Sequence, residues 1–174
     1  MNLNILDNIH YEKKTNNFYN LKNKRSKKAI KINLKKVLLP FGLDEEYDHY
    51  YLKFELNENN SDHIDFLDFI RKLEEKIKLD FQCNDEDFKP LLKKREDKEE
   101  LLVCRLKQFK KNIQLQIKFQ DEKNNYLKTA FDLPKQSFMD IEIELNNLWD
   151  FRKQSSDNNK LGLLIYVSKV YVYA

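Results

Sequence analysis

The sequence predicts a mainly β fold with one α-helix, its strands running antiparallel in a barrel or, as the alternative, in a sandwich. Three observations lead there. The last stretch, Leu161 to Tyr173, holds one Gly, no Pro and a single charge at Lys169 among branched and aromatic side chains, which suits a central strand covered on both faces. Upstream, short runs alternate apolar and polar residues with the period of a half-buried strand. Only one stretch, Ile64 to Phe81, spaces its apolar residues as a helix does. Strands in hairpin order with one inserted helix do not fit a doubly wound parallel sheet.

Residues 1–28 read as a basic N-terminal arm, partly disordered or ordered only with a partner. His10 to Lys28 mixes cations with Tyr11, Phe18 and Tyr19 and keeps no period. Residues 29–174 read as a single domain. Ile30, Ile32 and Leu34 alternate with Lys31, Asn33 and Lys35, predicting a strand with a basic outer face that ends near Pro40 and Gly42. After an acidic turn at 44–46, Tyr50, Leu52, Phe54 and Leu56 oppose Tyr51, Lys53 and Glu55, predicting a second strand paired with the first. Ser61 or Asp62 can cap the helix over 62–81. Cys83 to Glu100 reads as a long exposed connection around Pro90. Strands are then expected at 101–107, 113–119, 126–133 and from Ile141 towards Trp149, with Gln108 to Asn112 as a hairpin loop and Lys153 to Lys160 as a polar loop.

Charge is uneven along the chain. The formal net charge is +3, yet His10 to Lys36 carries ten Lys or Arg against one acid, so that segment is +9 and residues 37–174 are −5. A basic segment on an acidic body suits a polyanion ligand. The Asn, Lys and Ile bias also matches an AT-rich genome, so a merely soluble basic face is the competing account of the lysines. Cys83 and Cys104 lack a C-x-x-C companion, which points to an intracellular, reducing compartment rather than a disulfide framework. No apolar run of roughly 18 residues predicts a membrane span, and no hydrophobic region behind Met1 predicts a secretory signal.

The two glycines, Gly42 and Gly162, cannot write a Walker loop or a G-x-G-x-x-G turn, and there is no G-x-S-x-G elbow. His10, His49 and His63 have no metal-ligand spacing and read as surface residues. Asp62, Asp65 and Asp68 fall three apart, as magnesium carboxylates could, but acids early in a helix answer its dipole. The expectation is a non-enzyme with no metal and no cofactor.

What remains is binding of single-stranded nucleic acid, which needs cations along the backbone and flat rings under the bases. The arm offers Lys24, Arg25, Lys27 and Lys28; the outward strand faces offer Lys31, Lys35, Tyr51, Lys53, Arg105 and Lys107; a hairpin loop offers Lys110 and Lys111. Trp149 stands beside Arg152 and Lys153 and fits either a stacking platform or a core residue.

Leu39-Pro40-Phe41-Gly42, then Tyr47-x-x-Tyr50-Tyr51-Leu52-x-Phe54-x-Leu56, then a helix, paired strands and a closing Trp149 to Gly162-Leu163 strand resembles the layout of single-stranded DNA-binding proteins of large cytoplasmic DNA viruses. Those are similar to a phage replication protein with an OB-type barrel. The resemblance implies an OB-like barrel over residues 29–174 and an accessory of viral or phage-like DNA replication or repair, located in the host cytoplasm or a viral factory. It puts the strand groove at Tyr51, Lys53, Lys110, Lys111, Arg152 and Lys153, DNA ahead of RNA as ligand, and a homodimer or replication proteins as partners. A virion or assembly protein with a basic arm is the other expectation.

Overall fold

A computed structural model describes residues 4–110, 112–120, 129–153 and 160–173. The chain is mainly β, with twelve strands and two α-helices among the described residues. Among the described residues, no helix is long and apolar enough to cross a membrane. It divides into two compact units: one formed by Met1–Ile30, Asn59–Leu91 and Leu145–Leu164, the other by Lys31–Glu58, Leu92–Glu144 and Ile165–Ala174.

The first unit begins with α1 (Asn4–Asp7) and a hairpin of β1 (Ile9–Lys13) and β2 (Phe18–Asn23). The loose arm expected here is instead ordered: Ile9 pairs with Asn23 and Lys13 with Tyr19. Tertiary contacts supply the reason. Leu21 and Ile9 are buried, and the rings of Tyr11 and Tyr19 each meet the Phe81 ring edge-on at 5.1 Å. The Tyr11 hydroxyl donates to Asp80 Oδ2 at 2.8 Å; burial first, and then that carboxylate, raises the phenol's pKa.

The expected helix is α2 (Ser61–Asp80), which buries Phe66, Leu67, Phe69, Ile70, Leu73 and Ile77. Its cap is Asn60, not Ser61 or Asp62: the Asn60 side chain accepts from Asp62 N at 3.0 Å. The two-residue strand β6 (Phe88–Lys89) follows. The unit is completed by the end of β11 (Ser137–Asp150), whose Trp149 pairs with Phe18, and by the start of β12 (Leu161–Val172), whose Leu161 pairs in parallel with Phe88.

In the second unit β3 (Ile30–Leu39) alternates buried Ile32 and Leu34 with exposed lysines. The acidic turn at 44–46 is itself a strand, β4 (Leu43–Glu46), which reverses at Tyr47 and Asp48 into β5 (His49–Glu55). Both turn residues have positive φ, 50° and 62°, as the tight hairpin turns that match strand twist require. β7 (Leu92–Arg95) and β8 (Lys98–Phe109) form a second hairpin inside the segment expected to be an exposed connection. A register shift between Lys93 and Arg95 breaks the alternation and hides the strand from a periodicity reading.

The strand expected at 113–119 splits into β9 (Asn112–Gln114), antiparallel to β8, and β10 (Gln116–Phe119), parallel to β12. Of the strand expected at 126–133, residues 126–128 lie outside the described residues, and Ala130–Asp132 is a one-turn 3-10 helix. Most of the polar loop at 153–160 also lies outside them.

The main strands follow the order β3-β5-β8-β12-β11 and return to β3, since β11 pairs with both β12 and β3. Within this unit, Lys31 on β3 and Ser168 on β12 both reach Glu142 on β11. The pairing is not purely antiparallel as expected: β8 and β12 run parallel, Arg105 against Tyr166. The chain between them is long enough for the crossover that a parallel pair needs. Leu52, Phe54, Cys104, Leu106, Ile143, Ile165 and Val167 fill the interior.

Candidate nucleic-acid interface

Alternation on three neighbouring strands decides which side chains face outward. Leu52 and Phe54 are buried on β5, Cys104 and Leu106 on β8, and Ile165 and Val167 on β12; their neighbours Tyr51, Lys53, Arg105, Lys107, Tyr166 and Ser168 therefore share the opposite face. Register then aligns them. Tyr51 sits directly opposite Arg105, and Arg105 opposite Tyr166. The result is a row of phenol, guanidinium and phenol across three strands, about 10 Å from first to last at two strand spacings.

Each ring and cation in the row has a defined setting. Burial is the main cause that raises the Tyr51 pKa, with Arg105 opposing it, so the phenol stays neutral and flat at physiological pH. Lys107 Nζ lies 5.5 Å from the Tyr166 ring centroid, within cation-π range. Arg105 Nη2 donates to the His49 ring, 2.6 Å from Nε2. Lys53 pairs with Asp44 and lies 3.8 Å from Glu46.

Carboxylates border the row. Glu144 on β11 pairs with Lys107 and lies 3.5 Å from Lys31. Glu142 takes Lys31 at 3.2 Å and Lys169 at 3.3 Å and accepts from Ser168 Oγ at 2.8 Å. Burial works to raise the Glu142 pKa, but those hydrogen bonds outweigh it and hold the carboxyl below its usual range. The Glu142 bond is likewise the main reason the Lys31 pKa is raised.

The other expected residues fall elsewhere. Lys35 is exposed on β3, and Lys110 caps the β8–β9 hairpin with Nζ 5.6 Å from the exposed Phe109 ring; Lys111 lies outside the described residues. In the first unit Lys24, Arg25, Lys27 and Lys28 are exposed on a turn after β2, where Asn23 Oδ1 accepts from Arg25 N and Ser26 N. Trp149 is no free platform: its indole packs on the Gly162 backbone and tilts against Phe151 at 5.8 Å. Arg152 is held by Asp150 through Nε at 2.9 Å and Nη2 at 2.8 Å, while Lys153 is exposed.

His10 is exposed as expected, but the other two histidines depart from the surface role. His63 is fully buried on α2, and His49 is half-buried against Arg105. Asp62, Asp65 and Asp68 are exposed, Asp68 pairing with Lys72 at 2.6 Å. Tyr166, Glu142 and Glu144 were not among the expected site residues. Tyr166 alternates with Ile165 and Val167, a signal that was visible, but a strand this apolar reads as covered on both faces.

No known family and no curated protein matches the chain. Solved structures do resemble it, two phage proteins among them. One is gp2.5, a single-stranded DNA-binding protein encoded by bacteriophage T7, at 12% identity and TM-score 0.54 over 83% of this chain and 86% of that one. The other is the C-terminally truncated single-stranded DNA-binding protein of bacteriophage Enc34, also at 12% identity, with TM-score 0.52 over 96% of this chain and 94% of that one. The layout expected from the sequence is thus met on its phage side and at the level of fold: this chain folds like those two phage proteins.

Proposed function

We propose that the protein binds single-stranded DNA without catalysing a reaction, as an accessory of DNA replication or repair, and that its closed strand order is an OB-type barrel. The row Tyr51, Arg105, Tyr166 carries this reading. Two flat rings on an outward sheet face can each stack on a base, and the cation between them can meet a phosphate or stack on a base in turn. Similarity of fold to two phage single-stranded DNA-binding proteins supports the choice of ligand.

Anisotropy titration of a fluorescent oligonucleotide tests it. The wild-type protein is expected to bind near physiological salt and more weakly as salt rises. Tyr51→Ala and Tyr166→Ala should each weaken binding by about 1–3 kcal/mol, the usual contribution of one stacked base. A wild-type protein that does not bind, or tyrosine variants that bind as well as wild type, would overturn the reading.

A further inference from the structure

Three lysines from three strands converge on two carboxylates beside the tyrosine row. Lys31 from β3 reaches Glu142 and Glu144, Lys107 from β8 reaches Glu144, and Lys169 from β12 reaches Glu142. Glu144 is only 7% exposed, and it and His63 are the buried polar residues among the described ones. A carboxylate shielded to that degree is costly without partners. Its partners here are the ammonium groups that a phosphate would need.

A phosphate oxygen and a carboxylate oxygen ask the same of lysine: one charge and a short hydrogen bond. Each lysine held by Glu142 or Glu144 must release or share that acid before it can neutralise a phosphate. Arg105, by contrast, turns to the His49 ring, and the tyrosine rings face outward. The two carboxylates therefore take groups that a phosphate would use, while the tyrosine rings, Tyr166 with Lys107 5.5 Å from its centroid, are the groups that a base face would use. A duplex presents its phosphates but keeps its base faces stacked; an unpaired strand presents both.

Resting on the single-stranded DNA reading, we propose that Glu142 and Glu144 set the preference for unpaired over duplex DNA, by occupying lysines through which a duplex would otherwise gain affinity. Opposition to the wrong partner is an established route to specificity.

The test measures binding of one oligonucleotide, single-stranded and annealed, to wild type and to Glu142→Gln with Glu144→Gln, across a salt series. Duplex affinity of the double variant is expected to rise at least tenfold at low salt. The salt slope should steepen by ~2 to 3, at about 0.7 to 0.9 per freed lysine. Single-strand affinity should rise less, so the preference narrows. An unchanged or wider preference, or a loss of affinity for both forms, overturns the proposal. Melting curves check the fold. If the double variant does not fold, Glu142→Gln alone should give a smaller shift in the same direction, and no shift counts against the proposal. A wild type that binds neither form sinks the single-stranded DNA reading. The proposal then falls with it, whereas a wild type that binds the single strand while the double variant keeps the same preference sinks the proposal alone.

Discussion

Gly162 is a glycine because Trp149 leaves no room for anything larger. A Cβ built there would stand 2.3 Å from Cζ2 and 2.6 Å from Cε2 of the indole, well inside contact distance. The ring is rigid and hemmed by Phe151, itself edge-on to Phe18 at 5.5 Å, so relief must come from shifting packed groups. Gly162→Ala should cost about 1–3 kcal/mol, the usual range for overpacking, read from chemical unfolding. Trp149 is the chain's one tryptophan, so its fluorescence should also shift in the folded state. At this scale the sequence showed which residues are unusual, a lone Trp and a late Gly, but not that one exists for the other. That pairing joins two strands 13 residues apart, and nothing in either strand's period encodes it.

Helix α2 illustrates what is legible in an element. Phe66, Ile70, Leu73 and Ile77 repeat every three or four residues and are fully buried, so the period alone located the helix. Leu73→Ala should destabilise by about 2–5 kcal/mol through lost contacts and a residual cavity, seen as an earlier urea midpoint. Asn60→Ala should cost about 1 kcal/mol by removing the N-cap acceptor, measured the same way. The hairpin β1–β2 shows the reverse case. Its period is weak because its order comes from Tyr11 and Tyr19 flanking Phe81, at the far end of α2. Aromatic anchoring across nearly 70 residues has no local signature.

Across the whole molecule, stability should depend on acid in a defined direction. Asp44 is held low mainly by Lys53 and Asp150 mainly by Arg152, while Glu142 is held low by Ser168, Lys31 and Lys169 against its burial. A carboxyl whose folded pKa lies below its unfolded value binds its proton more readily in the unfolded chain. The stability it contributes is therefore complete above the unfolded pKa of about 4 and is lost as pH falls through the folded one. Melting temperature should hold from pH 7 to about 5 and drop progressively below pH ~4. Asp150→Asn should flatten that decline; an unchanged profile would show that the Arg152 pair adds nothing to acid sensitivity.

The sequence by itself determined that the chain is mainly β around an apolar last strand, where its main helix lies, and that Tyr51, Lys53, Arg105 and Lys107 point away from the interior. Each of these follows from local periodicity, which burial imposes on a strand or helix residue by residue. Only the tertiary structure decided that Tyr51, Arg105 and Tyr166 form one row, that Glu142 and Glu144 hold the neighbouring lysines, and that Trp149 is spent on Gly162. Those depend on strand order and register, which are set by long-range pairing and leave no mark on the pattern of any single strand.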